Sequence, residues 1–161
     1  MKIALASDHR GVDSKEQIKA IATERGHECI DFGTCDRDPV DYPDLAYSAA
    51  TAVTEGRADV AILVCATGLG MSIAANKIKG IRAATCHDET AARIAREQKD
   101  ANVLCVSGEM TGRVLLRKIV EVWLDTEFIG GRHQRRIDKI RAIEEGSRLG
   151  KLGMLEEEQE R

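Results

Sequence analysis

The chain has 161 residues, 43% of them hydrophobic, enough apolar material to fill one core and to exclude wholesale disorder. Aromatics amount to 3% and the formal charge is -3, which excludes both a base-stacking platform and an overall basic field for polyanions. No apolar run is long enough to span a bilayer, no charged-then-apolar signal segment opens the chain, and the five cysteines contain no Cys-x-x-Cys pair. These features predict a reduced, soluble, cytoplasmic protein with no membrane or nucleic-acid partner.

Apolar stretches alternate with helical patterns from the start. Residues 3–6 read as a buried strand closed by the loop Ser7-Asp8-His9-Arg10-Gly11, and 14–25 as a helix stopped by Gly26. Residues 29–33 form a second strand, 34–44 a loop with both prolines, and a helix of small residues runs from Ala46 to Gly56. Val60–Cys65 is apolar on both faces, as a central parallel strand must be. A glycine turn then leads to a helix over 71–77, a strand over 81–86, a helix over 89–98 and a strand over 103–106. Residues 113–124 follow as a helix with its apolar stripe on Val114, Leu115, Ile119, Val122 and Trp123. Five strands each followed by a helix predict a three-layer, doubly wound, Rossmann-like α/β domain with a five-stranded parallel sheet. Active sites of such sheets lie beyond the C-terminal strand ends, which selects the loops after Ser7, Gly33, Cys65, Cys86 and Ser107.

The domain is assigned to residues 1–149. Its last part, 132–149, is a charged helix with only Ile137, Ile140 and Ile143 as apolar positions, a stripe suited to lying across a partner subunit. Residues 150–161 form an acidic tail, read as solvated and frayed.

Chemistry concentrates in Cys65-Ala66-Thr67-Gly68-Leu69-Gly70-Met71-Ser72, at the end of the central strand and the start of a helix. Glycines there allow backbone N–H groups to converge on a phosphate or a developing oxyanion, and the same field lowers a cysteine pKa. A dinucleotide-binding loop is only partly matched: Ile73 stands where a third glycine belongs, although Asp88 lies where an acid would grip a ribose. A cysteine-phosphatase loop needs an arginine at position 71, where this chain has Met71. The third option is proton abstraction beside a carbonyl, with Cys65 as base and the amides holding an enediolate. A small buried strand residue is the alternative for Cys65, and it is the preferred reading of Cys29, Cys86 and Cys105.

Several strings resemble type B ribose-5-phosphate isomerases, a family that includes galactose-6-phosphate and allose-6-phosphate isomerases. They are Asp8-His9, Asp41-Tyr42-Pro43, the segment from Cys65 to Lys77, residues 80–84, Asp100-Ala101-Asn102-Val103-Leu104 and residues 130–134, in family order from residue 2 to about 145. The resemblance implies metal-free and cofactor-free aldose–ketose isomerisation of a sugar phosphate, with ribose 5-phosphate and ribulose 5-phosphate as the default pair. It assigns the C1–C2 proton transfer to Cys65 and substrate oxygens to Thr67. The anion hole falls to the amides of Ala66, Thr67, Gly68, Leu69 and Gly70. Asp8 and His9 are implied at the sugar and phosphate end, Tyr42 on the pocket wall, and Arg132 and Arg136 as phosphate ligands from the partner of a homodimer, or of a tetramer, with shared sites. Independently, Arg132 and Arg136 are four apart and so share a helix face.

The pattern departs at three positions. Gln98-Lys99 stands where the family has His-Asn, and that His is the expected ring-opening acid; Glu109 stands where the family carries Arg. Lys99 adds a cation to the substrate end that can pair with Glu109. Unused positions, a shifted substrate such as a tetrose phosphate, and lost activity each account for the change. An isomerase of another phosphosugar and a non-catalytic sugar-phosphate or nucleotide binder therefore stand beside the default.

Overall fold

The computed structural model describes residues 1–147. Its strands are β1 (Lys2–Ser7), β2 (Glu28–Asp31), β3 (Val60–Cys65), β4 (Ala83–Thr85) and β5 (Val103–Ser107). All pair in parallel, in the order β2-β1-β3-β5-β4. The helices are α1 (Val12–Glu24), α2 (Tyr42–Thr54), α3 (Leu69–Ala75), α4 (Glu89–Lys99), α5 (Arg113–Asp125) and α6 (Arg132–Glu144). The three-layer, doubly wound α/β architecture is as expected.

Strand alternation sorts the core into two layers. Ile3, Leu5, Ile62, Val64, Leu104 and Val106 face α1, α4 and α5, whose contribution includes Ile18, Ile21, Ala92, Leu116, Ile119 and Trp123. Ala4, Ala6, Ala61, Leu63, Cys65 and Cys105 face the other way, against the alanines of α2 and against Met71 and Ala75 of α3. Small side chains on both sides of that second layer let α2 and α3 lie close to the sheet. Cys65, with its neighbouring loop, is thereby delivered to the α2–α3 side.

Several details differ from the sequence reading. β4 covers Ala83–Thr85 rather than 81–86, because Arg82 N–H bonds the Asn102 side chain instead of a neighbouring strand. α2 begins at Tyr42, a turn earlier, because Pro43 fits a first helical turn, where no intrahelical N–H bond is owed. On α5 the buried stripe is Leu116, Ile119, Val120, Trp123 and Leu124, whereas Val114 is exposed. α6 stops at Glu144, with Gly146 in the left-handed region. Ile137 of α6 is buried on its own chain, and Ile140 and Ile143 stay about half exposed. The expected acidic tail, 150–161, lies outside the described residues.

Candidate active site

Three loops meet beyond the C-terminal ends of β1, β3 and β5. Gly108 N–H bonds Cys65 O at 2.8 Å, and Glu109 N–H reaches Ala66 O at 3.3 Å. Buried Ser107 donates its hydroxyl to Ala66 O and accepts from Met110 N–H. A Cβ at Gly108 would lie 2.9 Å from Arg10 O, so the first and last loops touch backbone to backbone. Ser107 and Gly108 fix the Cys65 loop, yet no motif singled out Ser107, whose role depends on register with Cys65 across the sheet.

Cys65 is 5% exposed, and its Sγ accepts a hydrogen bond from Gly68 N–H at 3.2 Å. Gly68 has φ +79°, and a Cβ there would also press on Val106 backbone at 3.0 Å. Leu69 N–H turns to Thr67 Oγ1 at 3.3 Å. Two of the five proposed hole amides are thus engaged within the loop. Those of Ala66, Thr67 and Gly70 are the donors left for an anion, since no other loop group meets them among the described residues. Tyr42 closes the wall: a Cβ on Gly70 would sit 2.7 Å from its ring, so only glycine admits the tyrosine there.

Asp8 is buried and its carboxylate accepts from Arg10 N–H at 2.9 Å, which sets the turn that presents His9. His9 Nδ1 accepts from Val40 N–H at 3.3 Å, which ties the 34–41 loop to this end of the sheet. Burial pushes the Cys86 thiol up to about 11, with help from Asp88, and pushes Cys105 higher still. Neither offers a thiolate near neutral pH.

Lys99, Arg132 and Arg136 lie elsewhere. Lys99 ends α4, where its carbonyl and that of Asp100 receive the Arg82 guanidinium just before β4 starts. Ile129 N–H bonds Glu97 O, and Gly80 N–H bonds Glu144, which lays α6 along the same N-terminal edge of the sheet. Val103 and Ser107 are four residues apart on β5, so this edge is about 13 Å along the strands from the level of Cys65. The residues singled out from the sequence therefore fall into two groups at opposite ends of the sheet: Asp8, His9, Tyr42 and the Cys65 loop at one, Lys99, Arg132 and Arg136 at the other.

One expectation is corrected, and one rejected alternative loses its last support. Glu109 pairs with Arg10 at 3.0 Å and not with Lys99, because the two loops touch whereas Lys99 is at the far edge. Asp88 is spent as the cap of α4, accepting from Ala91 N–H at 2.7 Å, and so is not free to grip a ribose. Among the described residues no three His, Cys, Asp or Glu side chains are grouped to hold a metal, and no helix is long and apolar enough to cross a membrane.

Comparison with known proteins decides the family. The ribose/galactose isomerase profile matches residues 3–140. The chain belongs to that family. It resembles ribose-5-phosphate isomerase B of Escherichia coli at 45% identity over 144 residues, 89% of this chain and 97% of that one. The D-erythrulose-4-phosphate isomerase of Pectobacterium atrosepticum is 37% identical over 142 residues, 87% of this chain and 93% of that one. The solved structure of Clostridium thermocellum ribose-5-phosphate isomerase B superposes with TM-score 0.89 at 48% identity, over 91% of this chain and 99% of that one. The resemblance drawn from the motifs holds, and the chain is an aldose–ketose isomerase by class.

Proposed function

We propose that this isomerase interconverts ribose 5-phosphate and ribulose 5-phosphate through an enediolate, with Cys65 as the base. One observation carries the reading: Cys65 Sγ ends the central strand facing an N–H donor, beside amides left open for an oxyanion. The Gly68 N–H fixes the position of the sulfur, and fixed amides stabilise an enediolate without reorganising. The cysteine takes the proton from C2 of the aldose and returns it to C1. Thr67 and the amides of Ala66, Thr67 and Gly70 hold the oxygens, while Asp8, His9 and Tyr42 line the sugar. No metal enters this scheme.

The phosphate clamp belongs to a second copy. Lys99, Arg132 and Arg136 cannot reach Cys65 of their own chain, so the site is completed across a homodimer, whether alone or within a tetramer. Exposed Tyr47, Leu69 and Ile73, beside the Cys65 loop, offer apolar surface for that contact. A cytoplasmic enzyme suits a phosphorylated metabolite and free thiols.

A tetrose phosphate is the second reading, favoured by Gln98 in place of a ring-opening acid and by the similarity to an erythrulose-4-phosphate isomerase. A screen of four-, five- and six-carbon aldose phosphates in deuterium oxide tests all of these. Turnover with deuterium washed into C2 is the expected result. Binding without exchange would instead make the chain a sensor.

A further inference from the structure

His133 is the one buried histidine among the described residues, 3% exposed on a helix whose other charged and polar residues mostly face solvent. Its Nε2 accepts a hydrogen bond from Arg132 Nε at 3.4 Å, and its Nδ1 is buried without a partner. We propose that His133 is a positioning residue: its ring holds the Arg132 side chain so that the guanidinium fork is presented to the substrate phosphate. This rests on the reading of Arg132 as a phosphate ligand.

The chemistry requires a neutral ring. Nε2 accepts only while it carries no proton, and its acceptor role places the ring hydrogen on Nδ1. Burial, then the charges of Arg132 and Arg136 on α6 and of Lys99 on α4, hold the ring's pKa below the usual histidine value, and Glu97 on α4 opposes them. Around neutral pH the ring therefore stays an acceptor. Arg132 starts α6 directly after Gly130 and Gly131, both in the left-handed region, and His133 Nε2 is the hydrogen-bond partner its Nε meets. Anchoring Nε leaves both terminal nitrogens free for a bidentate contact. In acid the ring gains a proton at Nε2, donor then faces donor, and Arg132 is released.

The test uses the full chain with His133→Leu, His133→Gln, His133→Asn and Arg132→Ala. It reads KM and kcat on the phosphosugar turned over, and competition or binding by inorganic phosphate. His133→Leu should raise KM and weaken phosphate about tenfold, with kcat changed about twofold at most. Gln places an amide where Nε2 sits and should restore binding; Asn places one near Nδ1 and should not. Unchanged phosphate affinity in His133→Leu, or equal rescue by Asn and Gln, overturns the proposal. If Arg132→Ala also leaves phosphate affinity unchanged, the phosphate-ligand reading fails with it. If only Arg132→Ala weakens binding, the positioning role alone fails. Should the His133 variants fold poorly, the parent decides by NMR. An Arg132 Nε–H signal that moves with the His133 ring titration supports the proposal, and one indifferent to it refutes it.

Discussion

At position 65 a thiol and a hydroxyl differ mainly in how readily they give up a proton. Cys65→Ser keeps an acceptor for Gly68 N–H but makes a far weaker acid, so the ionised base becomes scarce. Turnover should fall by about 10²–10⁴-fold with the thermal midpoint unchanged. A serine variant with near-normal kcat would remove Cys65 from the role of base. Position 98 is the second informative residue. Gln98 stands beside Lys99 in the last turn of α4, at the position where the family resemblance implies a ring-opening acid. Gln98→His should raise kcat/KM for ribose 5-phosphate about tenfold or more, and leave a tetrose phosphate, which forms no such furanose, nearly unaffected. Equal changes on both substrates would show that another group opens the ring.

Among the elements, α1 contributes a structural device that periodicity did not expose. Lys15 is wholly buried, and its Nζ bonds Asp31 at the end of β2 and Thr34 O in the loop beyond. Asp31 in turn accepts Gly33 N–H, Thr34 N–H bonds Ser7 O, and Val40 N–H reaches His9. The 34–41 loop is thus stitched at one end to α1 and at the other to the site. Lys15→Met leaves the Asp31 carboxylate without its cation and should cost about 3 kcal/mol, the low end for a broken buried pair because Asp31 keeps some access to water. Urea denaturation reads the loss, and amide exchange should quicken at Thr34 and Val40. A lysine that merely filled space would cost less and leave Val40 protected. A charged residue inside an apolar helix pattern reads as solvated until its partner strand is placed, which is why this pair escaped the sequence.

For the whole molecule, the proposed sharing of the site between two copies makes a direct claim about assembly. On the proposed reading, a chain with Arg136→Ala lacks part of the phosphate clamp, and one with Cys65→Ser lacks the base. Mixed and allowed to exchange, they should regain activity, because a hybrid dimer has one site with both groups intact. Arg136→Ala alone should act chiefly on KM, by about 1.5–3 kcal/mol for a charge-assisted contact. Recovery no greater than the two parents together, with hybrids shown to form by mass, would mean that each chain builds its own site.

The five-stranded parallel sheet, the Cys65 loop at its centre and the family were all legible in the linear order of residues. Strand apolarity, helix stops and short glycine motifs are local, and local patterns determine local conformation. The buried face of α5 was legible only in part: Ile119 and Trp123 are buried and Leu115 packs against the core, but Val114 and Leu116 are both apolar and only packing against α1 and α4 chose the second. Pairing of Glu109 with Arg10 rather than Lys99 was likewise decided by loops that meet from 99 residues apart. The same holds for the Cys65 loop and the group of Lys99, Arg132 and Arg136, which stand at opposite ends of the sheet because α4 runs back against its strands. Side-chain type sets what chemistry a residue can do, but the partners it meets depend on long-range distances that only the tertiary fold creates.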